Sequence, residues 1–580
     1  QKGSTGMADS NTSTAVSGSD KPAPAAGLQI KPSHILLPLA LAQLINAYDT
    51  TAMNVAVSKV VPSLHTTVSG VQSGIVIYSL VMAACMITGS KLGDIWGRRR
   101  TFTIGVILYG VGALITALSF NLGMMVGGWS LLEGIGSALM IPAIFAMIAG
   151  IFPPGKDRLK GYAVVGSAAA AGAALGPLLC GFWATAVTWR ASFISEVCVV
   201  IIILFLLRRM GKEEPVKDKP KLDYLGAVLS ALGLALVVLG LVQATAYGWI
   251  HARVPLKIGG TTIIHVGGIS PVIPFVAAGL IVLVLFALWE NHMKKAKKLP
   301  LLNLSILKGR AASIGLPTVM ILMFMQAGLL FVAPVFLQMS LGLNPLVAGL
   351  TILPLTVFLI AASQWTAKLT AKYSPRTLIR IGMLLIPLGI CLVWLLLEDK
   401  PSALQMIPGF IVAGIGIGFA NAPLLNMVQS SVPVQQQSDI SGTNRAFSNL
   451  GGALGTAVAG AVLMSVLISS FSGLLMQSKV IPPQEKAKIQ VSLAVDATTI
   501  SNRQARQYLS KKAFEPKVAN ALYDINQKAR NKALLSALLA VGILGLVGFL
   551  FSIFLPGEEH RKRKEIAETV PDDGTPRFRS

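Results

Sequence analysis

The chain has 580 residues, of which 53% are hydrophobic and 13% are charged, and its formal net charge is +24. Because an average soluble domain is about 25% charged, this composition predicts an integral membrane protein. Nucleic acid is disfavoured as a partner, since the basic residues occur in short runs between apolar segments. The four cysteines lie in apolar stretches without C-x-x-C spacing, so the sequence predicts neither disulfides nor a metal site.

Apolar segments of membrane-spanning length follow a polar N-terminal stretch. Residues 1–32 are rich in Ser, Thr, Ala, Gly and Pro, which predicts a disordered terminus. A span of the bilayer needs about 20 apolar residues, and fourteen segments meet that requirement. The predicted spans begin near Ile35, Val71, Phe102, Leu122, Tyr162, Ala191, Tyr224, Ile269, Ser313, Pro345, Thr377, Leu404, Gly442 and Ala533.

The distribution of Lys and Arg predicts the orientation of these spans. Basic residues concentrate in the connections on the side of the two termini, as at residues 98–100, 294–298 and 561–564. Under the positive-inside rule that side is cytoplasmic. The sequence therefore predicts a multi-pass protein with both termini in the cytoplasm, including a cytoplasmic tail over residues 557–580.

Two connections on the opposite side are long. Residues 248–268 alternate β-branched residues around Gly259 and Gly260, which predicts a small β-hairpin. Residues 472–530 form a polar and basic extracellular insert with helical patterning near residues 518–525. We interpret this insert as a solvated loop, and contact with anionic lipid headgroups is the alternative.

The first span contains an acidic residue. Residues 48–56 read Y-D-T-T-A-M-N-V-A and include Asp49 and Asn54. A carboxylate well inside an apolar helix is costly when charged, so Asp49 is a natural proton carrier. The alternative is that Asp49 lies near the outer end of the helix and only forms a hydrogen bond across the interface.

The connection after the second span is a charged turn. Residues 90–100 read S-K-L-G-D-I-W-G-R-R-R and include Asp94, Gly97, Arg98 and Arg99. A charge at the bilayer centre costs about 2.5 to 3.5 kcal/mol on insertion scales, so these groups belong at the membrane surface. Gly97 permits a tight turn, and Asp94 can cap a helix or pair with an arginine.

The fourth and sixth spans add two more acids, Glu133 and Glu196. Together with Asp49 they place three acids inside the membrane in the first half of the chain, a group that attracts cations or relays protons. The alternative is that Arg190 or a polar neighbour satisfies Glu196.

The fifth span carries small residues and a proline. These are Gly172, Gly176, Pro177 and Gly181. Small residues at i and i+4 let two helices approach closely, and a proline bends the helix.

These motifs resemble those of the major facilitator superfamily, and specifically its fourteen-helix drug:proton antiporters. Residues 90–99 are similar to the superfamily pattern G-x-L-a-D-R-x-G-R-K, residues 49–56 to D-x-T-i-v-N-v-A, and residues 172–181 to the exporter pattern g-x-x-x-G-P-x-x-G-G. The chain departs from the family at four positions. In the loop pattern, Ser90 replaces the first glycine and Ile95 replaces the usual basic residue. Ser130 replaces an arginine that is usually given a part in proton transfer, and Glu196 replaces an asparagine.

The resemblance implies an all-α membrane fold of two six-helix bundles, at residues 33–209 and 299–556, with two inserted helices at residues 210–298. It implies that Asp94, Arg98 and Arg99 form a cytoplasmic latch. Among the polar groups of the second half, Gln326 and Gln338 are candidates to face a cavity, and hydrogen bonding between helices explains them equally well.

The implied function is export of amphiphilic or cationic small molecules across the plasma membrane in exchange for protons. Two alternatives stay open: a transporter or flippase of lipids or lipid-like amphiphiles, and a transporter-like receptor without turnover. The chain has no G-x-x-x-x-G-K-[ST] or H-E-x-x-H pattern, so it predicts neither an enzyme nor a cofactor. The predicted partners are the substrate, protons and membrane lipids.

Overall fold

The computed structural model describes residues 32–66, 68–152, 156–208, 222–252, 256–258, 261–296, 300–343, 345–370, 372–397, 402–433, 436–482, 486 and 516–557. The predictions of disorder before residue 32 and of a tail after residue 557 lie outside these residues. Fourteen long helices occupy most of the described chain. They are α1 (Pro32–Ser63), α2 (Val68–Trp96), α3 (Arg98–Ala117), α4 (Leu122–Ile151), α5 (Lys156–Ala186), α6 (Arg190–Arg208), α7 (Tyr224–Tyr247), α8 (Val272–Lys295), α9 (Arg310–Val335), α10 (Pro345–Leu369), α11 (Pro375–Leu396), α12 (Ala403–Gln429), α13 (Gln437–Gln477) and α14 (Pro516–Ile553).

Thirteen of the described helices, α2 to α14, are long and apolar enough to cross a membrane. The helix outside that set, α1, carries buried Gln43, Asn46 and Asp49, and these polar groups lower its apolar content. The predicted all-α membrane architecture is confirmed.

The last helix begins much earlier than the sequence predicts. We expected it near Ala533, but α14 begins at Pro516, and α13 extends to Gln477. Both ends of the predicted insert at residues 472–530 are therefore helical. The first half of α14 is amphipathic. One face is polar, and the other face is apolar and buried, with residues at helical spacing: Val518, Leu522, Ile525 and Ala529.

A β-hairpin joins α7 to α8, as predicted for residues 248–268. Strand β1 (Leu256–Ile258) pairs antiparallel with β2 (Thr261–Ile264), and Ile258 lies opposite Thr261. Gly259 and Gly260 lie outside the described residues. The end of the molecule that carries this hairpin is the hairpin end. The opposite end, which carries the α2–α3 turn at Gly97, is the turn end.

The helices form two bundles with separate apolar cores. One core is built mainly from α1 to α6 and includes Phe102, Tyr109 and Trp129. The other is built mainly from α9 to α14 and includes Phe324 and Phe410. Each bundle therefore has six helices, as the sequence predicts.

The inserted pair lies beside the two bundles. Helix α7 contacts α2 of the first bundle and α13 of the second, and α8 packs chiefly on α7. Most of α8 is exposed in the isolated chain, which is the property of a helix surrounded by acyl chains. Its exposed apolar residues include Leu280, Ile281, Val284, Leu285 and Leu288.

Candidate functional site

Three buried carboxylates from three helices meet inside the first bundle. Asp49 of α1, Glu133 of α4 and Glu196 of α6 each contribute an oxygen, and these oxygens lie within 4.8 Å of one another. Their exposed fractions are 0%, 0% and 2%. Asp49 is thus in the interior of the protein. The structure brings together the three acids that the sequence singled out.

A π-helical segment forms part of this site. Residues Val126–Glu133 of α4 are wound as a π-helix between two α-helical segments. Trp129, Ser130 and Glu133 of this segment are all fully buried. Such segments are rare and occur frequently at functional sites, because the wider turn changes which side chains point to a neighbouring helix.

Each carboxylate accepts one hydrogen bond from a neutral donor and keeps a second oxygen without a described partner. The donors are the Trp129 indole to Asp49 at 2.7 Å, the Tyr109 hydroxyl to Glu196 at 2.6 Å and the Thr116 hydroxyl to Glu133 at 3.4 Å. Within the described chain, no hydrogen bond reaches Oδ2 of Asp49, Oε2 of Glu133 or Oε1 of Glu196.

The cluster requires positive charge for stability. Two like charges at this separation repel by about 3 to 4 kcal/mol at an effective dielectric constant of 20, and burial removes their hydration as well. The ion pairs of the described chain include none with these three acids. Protons or a bound cation are the species that can neutralise the cluster.

Arg190 does not pair with Glu196. Its guanidinium donates to the Ser63 hydroxyl at 2.8 Å and to the Ser119 carbonyl at 2.7 Å, both at the hairpin end. The alternative in which Arg190 satisfies Glu196 is therefore wrong. A polar neighbour, Tyr109, satisfies only one of the two Glu196 oxygens.

Ser130, which stands where the family resemblance predicts an arginine, links two helices. The Ser130 hydroxyl donates to the Gly74 carbonyl of α2 at 2.8 Å. Beside it, the Tyr78 ring stacks on Trp129 with centroids 5.3 Å apart. Asn46 donates to the Tyr78 hydroxyl at 3.3 Å. The acids are thus surrounded by neutral polar groups.

The exporter motif of α5 packs against the helix that carries Asp49. A Cβ on Gly172 would overlap the Leu44 carbonyl, and one on Gly176 would overlap the Thr51 hydroxyl, so only glycine fits at this crossing. Gly181 lies further along α5. The side chains of Pro177 and Asn54 lie outside the described part of the structure.

The second bundle presents unsatisfied polar atoms on α9 and α13. Gln326 of α9 has an Oε1 without a hydrogen-bond partner among the described residues. Gln338 is half-buried near the hairpin end of α9. On α13, the described atoms of this kind are Oε1 of Gln437, Oδ1 of Asn444, Nε of Arg445 and Nδ2 of Asn449.

The charged turn at Gly97 is tight. Gly97 has φ 95° and ψ 142°, a conformation that other residues rarely adopt. Arg98 donates to the Ala146 carbonyl at 2.9 Å, and Arg99 donates to the Leu207 carbonyl at 2.7 Å. These bonds tie the start of α3 to the ends of α4 and α6 within one bundle.

A neighbouring residue, Lys91, connects the two bundles at the turn end. Its ammonium lies 3.9 Å from Oδ2 of Asp94 and 3.5 Å from Oδ1 of Asp439 on α13. The backbone N–H of Asn303 donates to the other Asp439 oxygen at 3.4 Å. The contact between Lys91 and Asp439 is not predictable from a local pattern, because the two residues lie far apart in the chain.

Comparison with known proteins identifies the family. Residues 39–456 match the family model described as Major Facilitator Superfamily. The chain belongs to the major facilitator superfamily. It is a transporter and not an enzyme.

Several similar proteins are named for the transport, export or efflux of antibiotics or drugs. A probable actinorhodin transporter of Streptomyces coelicolor is 29% identical over 80% of this chain and 77% of its own length. A tetracenomycin C resistance and export protein of Streptomyces glaucescens is 26% identical over 82% and 84%. The multidrug efflux pump LfrA of Mycolicibacterium smegmatis is 26% identical over 73% and 79%.

Solved structures of the superfamily share the fold. The human organic anion transporter MFSD10 superposes with a TM-score of 0.54 at 13% identity, covering 90% of this chain and all of its own. The proton:xylose symporter XylE superposes with a TM-score of 0.50 at 15% identity, covering 91% and 96%. At these identities the likeness concerns the fold alone.

Proposed function

We propose that this transporter exports amphiphilic or cationic small molecules in exchange for protons. The observation that carries the proposal is the convergence of Asp49, Glu133 and Glu196, each with a buried oxygen that accepts no hydrogen bond from the described residues. Two similar proteins are named for export or efflux and a third for transport of an antibiotic, which supports outward transport of small molecules.

The cluster supplies a simple basis for exchange. Protons and a cationic substrate are alternative ways to neutralise the same three carboxylates, so the binding of one favours release of the other. The cost of leaving the cluster charged and empty disfavours a cycle in which neither is bound. This competition requires no arginine at the position of Ser130.

Alternating access takes place between the two bundles. We place the substrate between them, where Gln326 and Arg445 of the second bundle provide polar atoms without described partners. The turn end is cytoplasmic in this proposal, because it carries the basic connections of a plasma-membrane protein. The pair of Lys91 with Asp439 then closes the cytoplasmic side, together with the turn that contains Asp94.

The test uses purified protein in liposomes with an imposed pH gradient. A fluorescent lipophilic cation reports substrate movement, and an internal pH dye reports protons. Asp49→Asn, Glu133→Gln and Glu196→Gln are each expected to lower proton-driven transport at least tenfold. The matched control is Asp157→Asn, which alters a carboxylate that is 65% exposed and is expected to leave transport unchanged.

Three results would contradict the proposal. Full proton-driven transport in all three variants would remove the carboxylates from the mechanism. Movement of labelled lysolipids, with no cation of a chemically diverse panel transported, would favour the lipid-transporting alternative. A protein that moves neither substrate nor protons would favour the receptor.

A further inference from the structure

A second acidic site lies at the turn end of the inserted helices. Glu290 near the end of α8 is 1% exposed, and Asp223 caps the start of α7 by accepting the Gly226 N–H at 3.0 Å. A Cβ on Gly226 would lie 2.5 Å from Oε1 of Glu290 and 2.6 Å from Oδ2 of Asp223, so the two acids approach the same point. The Trp289 indole donates to Asp223 at 2.8 Å.

Glu290 is only partly satisfied. Its Oε2 accepts the backbone N–H of Leu302 at 3.3 Å, and its Oε1 has no hydrogen-bond partner among the described residues. A buried carboxylate oxygen without a donor is costly, and a bound group that carries N–H donors removes that cost.

Glu290 lines a cavity of about 90 Å³ that has basic residues at its mouth. A cavity needs about 10 to 15 Å³ of this volume to hold one water molecule, so there is room for the three heavy atoms of an aminoethyl group. Lys294 and Lys308 line the cavity and are exposed, whereas Glu290 is buried. The cavity therefore combines a negative interior with a positive rim.

We propose that this cavity binds the headgroup of an aminophospholipid, with its ammonium against Glu290 and its phosphate between Lys294 and Lys308. From the exposed surface inwards, the order of charges matches a headgroup that enters with its ammonium first, because the two lysines are exposed and Glu290 is buried. The exposed apolar residues of α8, such as Leu285 and Leu288, continue from the site along the helix and provide a surface for the acyl chains.

The site is connected to the closure between the bundles. Leu302 donates to Glu290, and the next residue, Asn303, donates to Asp439, the partner of Lys91. A lipid bound at Glu290 thus contacts the segment that supports this inter-bundle pair. The proposal concerns lipid binding and does not depend on proton coupling.

Native mass spectrometry of the delipidated full-length protein tests the proposal. Dioleoyl phosphatidylethanolamine, phosphatidylcholine and phosphatidylglycerol are added in equal amounts. We expect phosphatidylethanolamine to be retained roughly fivefold or more over the other two, because only its ammonium both carries charge and donates N–H bonds to Glu290. Equal retention of the three lipids would overturn the proposal.

Variants identify the groups involved. Glu290→Gln keeps an acceptor for the Leu302 N–H and is expected to abolish the preference for phosphatidylethanolamine. Combined Lys294→Gln and Lys308→Gln is expected to lower binding of all three lipids alike, and Asp157→Asn to change nothing. A preference that persists in Glu290→Gln would overturn the proposal.

Two measurements on the unaltered protein keep the proposal falsifiable if a variant does not fold. Stepwise N-methylation of phosphatidylethanolamine is expected to weaken binding at each step as N–H donors are lost, and unchanged binding would overturn the assignment. Free phosphoethanolamine at the lipid concentration is expected not to displace the lipid. Displacement would show that the site binds a soluble headgroup and not a membrane lipid.

Discussion

The indole nitrogen of Trp129 lies 2.7 Å from Oδ1 of Asp49 and donates a hydrogen bond to it. Both side chains are buried. The Trp129 ring also stacks on the Tyr78 ring. The donor and the ring can therefore be separated experimentally. The indole nitrogen of Trp129 binds Asp49, and the rest of the ring packs against its neighbours.

We expect Trp129→Phe to impair transport while the protein stays folded. The substitution keeps a ring against Tyr78 and removes the donor to Asp49, and a hydrogen bond to a charged group contributes about 1.5 to 3 kcal/mol. Proton-driven transport in liposomes should fall by roughly tenfold or more. Trp365→Phe, at a residue that is 58% exposed, is the control. Wild-type rates in Trp129→Phe would show that Asp49 does not depend on this donor.

The Lys91–Asp439 pair is expected to hold the bundles together at the turn end. Asp439→Asn removes the charge and keeps an acceptor for the Asn303 N–H, so it isolates the ionic contribution. Amide hydrogen exchange should accelerate several-fold at the end of α2 and the start of α13, because these helices separate more often.

The control for this pair is the exposed ion pair of Lys160 with Asp157, whose side chains are 61% and 65% exposed. Such a pair contributes about 0 to 1 kcal/mol, so Asp157→Asn should leave exchange at both helix ends unchanged. The exchanged pair, Lys91→Asp with Asp439→Lys, should restore protection. Equal exchange in Asp439→Asn and the wild type would remove Asp439 from the closure.

Gly97→Ala is expected to destabilise the α2–α3 turn. A side chain at φ 95° and ψ 142° costs about 1 to 3 kcal/mol. The apparent melting temperature in detergent should fall by several degrees. Gly93→Ala is the matched control, because no atom lies within 4 Å of the position that its added methyl would take and alanine favours a helix. An unchanged melting temperature in Gly97→Ala would contradict the strained geometry.

Gly176→Ala should disturb the contact between α5 and α1. The added methyl would overlap the Thr51 hydroxyl and lie 2.8 Å from the Tyr48 carbonyl, so the two backbones must separate. Overpacking of this kind costs about 1 to 3 kcal/mol. Both the melting temperature and transport should fall, whereas Gly473→Ala, with no atom within 4 Å, should be neutral. Normal stability and transport in Gly176→Ala would contradict a close crossing here.

The sequence was informative where a residue type conflicts with its surroundings. Asp49, Glu133 and Glu196 are conspicuous because an acid inside an apolar segment is rare, and Gly97 is conspicuous between charges. The apolar segments themselves predicted the number of long helices and the start of most of them.

Features that depend on tertiary contacts were not predictable in this way. Trp129 and Tyr109 look like ordinary apolar residues in the sequence, and only the packed bundle shows that each donates to an acid. Lys91 and Asp439 belong to different bundles, so no local pattern connects them. The early start of α14 was missed because its polar face resembles a loop until the burial of Val518 and Leu522 is known.

The π-helical winding of residues Val126–Glu133 makes the acid cluster sensitive to chain length as well as to residue identity. Deleting one residue there would let the segment return to ordinary α-helical winding and rotate Glu133 relative to Trp129 and the helix beyond. The chain would still contain all three acids after such a deletion, yet their side chains would no longer converge. A relative that aligns with these acids therefore shares the site only if it also keeps the same spacing across this stretch.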